Sequence, residues 1–128
     1  MRLTREQWDE LVAHAREEAP NECCGVIRLR DGSGVEVHRG HNKRESPYGY
    51  DLDDKSLFLA AESFDDGDEV AIYHSHPKSP AEPSQMDINL AKYNPHYAQV
   101  IVSLEGDADV RAWRIDEGKV SEDPVEIS

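Results

Sequence analysis

The sequence is short of the features that mark several classes of protein. It has two cysteines, and they are neighbours, Cys23 and Cys24. Adjacent Cα atoms lie about 3.8 Å apart across a trans peptide, whereas an ordinary disulfide wants about 4.4–6.8 Å. Both are therefore read as free thiols, which argues against a disulfide scaffold and for a reducing cytoplasm. Lysine is scarce, five residues against thirteen aspartates. The 14 Lys and Arg are outnumbered by 27 Asp and Glu, giving a net charge of -13. The longest cationic cluster is Lys43-Arg44, too little for the basic surface that nucleic acid or anionic membrane requires. An acidic, lysine-poor surface is what a salt-rich cytoplasm favours, which concerns solubility and not activity. No apolar run approaches the roughly 20 residues that span a bilayer. The charged start, Met1-Arg2-Leu3-Thr4-Arg5-Glu6, does not read as a signal peptide.

What is there is a polar chain of 128 residues, 38% hydrophobic and 32% charged. That length closes one core and leaves no room for a second, so a single domain over 1–128 is expected. A monomer or homodimer in the cytoplasm is the expected state.

The first helix is predicted over 4–19. Thr4-Arg5-Glu6-Gln7 matches a capping box, Leu3 and Trp8 can staple it, and Pro20 stops it. Gly25–Arg30 and Val35–His38 flank Asp31-Gly32-Ser33-Gly34, a hairpin pattern. Tyr48–Leu52 reads as a further short strand. Asp53 or Asp54 caps a second helix over about 54–64. Val70–Tyr73 has the apolar character of a buried strand. A proline-rich loop follows, and Ser84 opens a third helix that Asn94-Pro95 ends. Ala98–Leu104 and Val110–Ile115 are strands, and a last one over 119–127 is broken by Pro124. Trp8, Trp113 and the phenylalanines are expected in the core; His14, His38, His41 and His96 are expected at the surface without partners.

His74 and His76 stand at i and i+2 at the end of the apolar strand, so both rings face one side. Two imidazoles on one face can converge on a metal. Asp87 follows 11 residues later, in the first turn of the third helix, where the loop can return it to the histidines. Two histidines and a carboxylate leave a fourth position for water, the layout of a catalytic zinc site. A plainer reading stands beside it: Ser84-x-x-Asp87 is also a helix cap, with the acid favoured by the helix dipole. Glu22, just before the cysteine pair, has the chemistry of a general base.

Taken together, Glu22, His74-x-His76, Ser84 after seven intervening residues, and Asp87 after two more resemble the JAMM motif of the MPN-domain metalloproteases. Pro20–Ile27, Tyr73–His76 and Pro83–Ala91 resemble the prokaryotic branch of that family, in particular a subfamily that releases cysteine from a sulfur carrier. Pro77 departs from that subfamily, which has Thr there. The resemblance implies an α/β fold with a mixed, curved sheet and helices on both sides. It implies Zn²⁺ held by His74, His76 and Asp87. It implies that Glu22 moves the proton from water to the leaving amine, and that Ser84 donates to the oxyanion. It implies a partner too: a ubiquitin-like β-grasp sulfur-carrier protein, cut after its C-terminal Gly-Gly, by peptide or isopeptide hydrolysis. Cys24 reads as a small core residue.

The alternatives fit less well. A non-catalytic MPN scaffold typically lacks one of these side chains. A cupin places Glu four or five positions after the second His, and here Glu82 is six on. A zinc deaminase needs Pro-Cys-x-x-Cys, which is absent. The acidity argues against a nuclease.

Overall fold

The computed structural model describes residues 1–128. A two-residue strand, β1 (Arg2–Leu3), leads into α1 (Arg5–Glu18). The capping box is formed: Thr4 Oγ1 accepts from Gln7 N at 3.0 Å, and Gln7 Oε1 accepts from Thr4 N at 3.0 Å. β2 (Cys24–Arg30) and β3 (Ser33–Arg39) form the hairpin. Its turn is tighter than the sequence pattern implies. Asp31 and Gly32 alone make it, at φ +50° and +77°, the double positive φ of a two-residue hairpin turn. α2 (Asp54–Asp65) is capped by Asp53, which accepts from the backbone and hydroxyl of Ser56. β4 (Glu69–His76) and β5 (Ala98–Ser103) bracket α3 (Gln85–Ala91). β6 (Asp109–Asp116), β7 (Lys119–Asp123) and β8 (Glu126–Ile127) complete the chain, with Pro124 between the last two.

All eight strands share one mixed sheet, in the order β7-β6-β5-β4-β2-β3-β1-β8. β4 pairs with β5 in parallel and with β2 antiparallel. A parallel pair needs a crossover, and the segment carrying α3 supplies it. Alternation along β4 divides two cores. Ala71 and Tyr73 join Leu11, Val12 and Ala15 of α1, while Val70 and Ile72 face Ala60 of α2 and Leu52. His74 and His76 continue the second set, on the face that α2 covers. Helices thus lie on both sides of a mixed, curved sheet, as the sequence implies. No helix is long and apolar enough to cross a membrane.

Three local expectations are corrected. Tyr48–Leu52 is not a strand; only isolated bridges join Asn42 to Leu52 and Ser46 to Gly49. The Asn42 amide takes the backbone groups a ladder would use. It donates to Glu22 O and Gly49 O and accepts from Arg44 N and Asp51 N. Phe58 and Phe64 are not core: they are 69% and 42% exposed, because α2 turns the small residues Ser56, Ala60 and Ser63 inward. His14 is not at the surface. It is 3% exposed, and its Nδ1 lies 2.6 Å from the Tyr73 hydroxyl across the α1 core.

Tyr73 also explains Gly25. A Cβ on Gly25 would stand 2.3 Å from His38 O and 2.5 Å from the Tyr73 ring. The Tyr73 ring is wholly buried and tied to His14, so it has nowhere to go. Gly25→Ala is expected to cost about 2–3 kcal/mol, the scale of overpacking a rigid core. Urea unfolding measures it; a loss below about 0.5 kcal/mol would show that β2 and β4 part easily here.

Candidate metal centre

β4 ends with both histidine rings on the α2 face, and His74 is wholly buried. The loop over 77–84 then brings the start of α3 back over them. Ser84 caps that helix: its Oγ accepts from Asp87 N at 3.1 Å, and its own N–H donates to Asp87 Oδ2 at 2.9 Å. The cap is therefore real, and it is also what aims the carboxylate. Asp87 Oδ2 lies 3.2 Å from His74 Nε2 and 3.1 Å from His76 Nε2, and the two Nε2 atoms are 3.3 Å apart.

These three separations can be tested against a metal. Ligands at about 2.0–2.1 Å from a tetrahedral ion lie about 3.3 Å from one another. The triangle of His74, His76 and Asp87 has edges of 3.1–3.3 Å. Protonation agrees. His76 Nδ1 is 2.8 Å from Pro80 O, which can only accept, so Nδ1 carries the hydrogen and Nε2 presents its lone pair in the neutral ring. Two imidazole nitrogens and a carboxylate oxygen this close need a shared positive charge. Burial opposes ionisation of Asp87, but hydrogen bonds with both histidines outweigh it and hold the carboxyl well below its usual range. Burial likewise opposes charging His76, and Asp87 with the Pro80 carbonyl reverses this, raising its pKa. The set fits a zinc-sized divalent cation.

Glu22 enters from the other side of the β2–β4 pairing, just ahead of Cys24, which is in register with His74. Three contacts fix it. Glu22 N donates to Ser46 O at 2.9 Å, Asn42 Nδ2 donates to Glu22 O at 3.0 Å, and Cys23 N donates to Ser75 Oγ at 2.8 Å. The residue is 6% exposed, and its buried Oε1 has no hydrogen-bond partner. Burial raises its pKa, partly offset by His74 and His76. Ser84 is exposed at the rim. The ligand cluster comprises His74, His76 and Asp87 without either cysteine, and burial pushes the Cys23 thiol up to about 11 and that of Cys24 higher still, so neither is a thiolate at neutral pH.

Four supporting residues escape a sequence reading. Ser75 looks like a spacer between the histidines, Asn42 like loop, Pro80 like a breaker, and Tyr50 like a strand residue. Tyr50 stacks on His74 with ring centroids 4.5 Å apart and planes at 20°. None belongs to a recognisable pattern: Ser75, Asn42 and Tyr50 work through partners 20 or more residues away, and Pro80 through its backbone carbonyl, four residues from His76.

The unpartnered Glu22 carboxyl should weaken the fold. Its folded pKa lies above its ordinary value of 4.5, so its protonated form is the one the fold favours. The destabilisation is absent below the ordinary value and grows as pH rises through the raised one. Glu22→Gln is therefore expected to raise the stability of metal-free protein at neutral pH and to change little below about pH 4. Chemical denaturation at the two pH values tests this; equal effects at both would show an unshifted, hydrated carboxylate.

Known proteins resemble this chain in sequence and in fold. Residues 4–116 match the family described as prokaryotic homologs of the JAB domain. The CysO-cysteine peptidase of Mycobacterium tuberculosis is 38% identical over 122 residues, spanning 91% of this chain and 84% of that one. The desampylase of Haloferax volcanii is 36% identical over 126 residues, spanning 90% and 88%. A solution structure of a Desulfitobacterium hafniense protein superimposes with a TM-score of 0.85 at 31% identity, covering 99% of this chain and 92% of that one. The chain belongs to the prokaryotic JAB-domain family.

Proposed function

We propose that the protein is a zinc-dependent peptidase that hydrolyses the bond after the C-terminal Gly-Gly of a ubiquitin-like sulfur-carrier protein. The observation that carries this reading is the convergence of His74 Nε2, His76 Nε2 and Asp87 Oδ2 within 3.3 Å of one another beside a buried, unpartnered Glu22. The names of the relatives support the substrate class: one is a CysO-cysteine peptidase and another a desampylase.

His74, His76 and Asp87 would hold the ion. A bound Zn²⁺ supplies Lewis acidity and lowers the pKa of water toward neutrality. Glu22 Oε1, free of protein hydrogen bonds, accepts the proton of the attacking water. Its raised pKa keeps that proton available for the leaving amine, so one carboxyl acts first as base and then as acid. Ser84 keeps its Oγ acceptor lone pair on Asp87 N and has its hydroxyl proton free to donate to the developing oxyanion. Tyr50, stacked on His74, excludes water from that ligand's face.

A groove of about 280 Å³ adjoins Tyr50, lined by Leu52, Leu57, Ile72, Leu90 and Tyr93. It is the natural seat for the carrier's tail: apolar walls suit backbone and aliphatic groups, and glycines pass where side chains would not. Hydrolysis is the reading the buried, proton-transferring Glu22 favours over simple binding.

Cleavage of a ubiquitin-like protein carrying a C-terminal Gly-Gly adduct tests it, read by mass spectrometry of the released carrier. Zinc-loaded wild type should release carrier ending in Gly-Gly. Glu22→Ala should lose at least about 10²–10⁴-fold in kcat while binding zinc normally, the scale of a lost general base. Full activity in Glu22→Ala, or no cleavage by zinc-loaded wild type, would overturn the reading.

A further inference from the structure

Resting on that reading, we infer that Lys78 is a specificity-determining residue that, when the leaving group is an amino acid, binds its free α-carboxylate. Glu22 is the group that protonates the leaving nitrogen, so that nitrogen must come within hydrogen-bond reach of it. Whatever follows the scissile bond then occupies the space beside Glu22. That space is a cavity of about 340 Å³, walled by Pro20, Pro47 and Pro77 and lined by Glu22, Tyr48 and Lys78. It is separate from the apolar groove beside Tyr50, which no cation lines.

The two cavities differ in charge, and the difference orients a substrate. A carboxylate leaving beside Glu22, in a chain of net charge -13, meets repulsion unless a cation offsets it. Lys78 is the one cationic side chain that lines this cavity. It is also uncommitted. Arg28, Arg30, Arg39, Lys43 and Arg111 are engaged by carboxylates; Lys78, like Lys55, Lys92 and Lys119, is engaged by none, and of these four Lys78 alone lines the cavity beside Glu22. Its placement is built in: Lys78 follows Pro77, whose ring fixes φ, directly after the β4 segment that holds the metal ligands. The proline walls keep the cavity open at a size that suits one amino acid, at the small end of ligand pockets. A lysine side chain of a second folded protein would enter with no carboxylate to offer, and the ammonium of Lys78 would gain nothing from it.

The test is a pair of probes, N-acetyl-Gly-Gly-Ser and its C-terminal amide, which differ only in the carboxylate and carry no thiol to reach zinc. Dissociation constants are measured by NMR titration on the zinc-loaded protein at low salt. The free acid should bind wild type about fivefold tighter than the amide, the scale of one exposed ion pair with a hydrogen bond. The ratio should fall to about one in Lys78→Gln, and toward one in wild type at about 1 M salt, where screening acts within about 3 Å. Lys78 is exposed, so the variant is expected to fold. Equal affinity for acid and amide in wild type, an unchanged ratio in Lys78→Gln, or binding of neither probe would overturn the inference. The outcomes separate from the peptidase reading. Carrier adducts cut without an acid preference would remove Lys78 and leave the peptidase. An acid preference without cleavage of any carrier adduct would keep the Lys78 site and remove the peptidase.

Discussion

Cys23 and Ser75 exchange hydrogen bonds in both directions. Cys23 N donates to Ser75 Oγ at 2.8 Å, and Ser75 N donates to Cys23 O at 3.1 Å. Both residues are buried, so losing a partner here leaves a polar group without water, at about 1–3 kcal/mol. The chemistry depends on this clasp because its two members are each one residue from a functional side chain. Glu22 precedes Cys23, and His74 and His76 flank Ser75. Continuing the same pairing, Gly25 lies against Tyr73 so closely that no Cβ fits. The carboxyl proposed to move protons and the rings that can hold a metal are thereby carried at the ends of two adjacent strands whose register the Gly25–Tyr73 contact fixes.

The rest of the fold positions the third member of the His74, His76 and Asp87 set. The β4–β5 parallel pair requires a crossover, and that crossover contains α3, whose cap turns Asp87 onto the histidines. The cap and the ligand are therefore one device: Ser84 aims Asp87, and Asp87 Oδ2 is at once the cap's acceptor and the atom nearest both Nε2 nitrogens. On the opposite flank Asn42 gathers four backbone groups, so the segment over 42–51 is pinned to Glu22 without forming a strand. Tyr50 leaves that segment to stack on His74. Local rigidity at the centre thus comes from side chain to backbone bonds more than from sheet.

What was legible in the sequence follows from this division. Helices, strands and caps are local, and Thr4, Asp53 and Ser84 each cap as their spacing implies. The set Glu22, His74, His76, Ser84 and Asp87 was legible as a spaced pattern, and the structure brings His74, His76 and Asp87 together. What escaped is long-range. His14 looked unpartnered because Tyr73 is 59 residues away. Tyr48–Leu52 reads as a short strand in isolation, and nothing local reveals that Asn42 claims its hydrogen bonds. Phe58 and Phe64 looked like core because aromatic residues usually are, yet the small inward stripe of α2 leaves them outside.

The central claim is that three ligand atoms are set at metal-ligand spacing before any substrate arrives. Elemental analysis of freshly purified, unchelated protein tests it most directly, with wild type and His76→Ala measured together. The account predicts about one zinc per chain in wild type and its loss in His76→Ala with the fold retained. Wild type that carries no zinc when purified and takes up none on titration would contradict it.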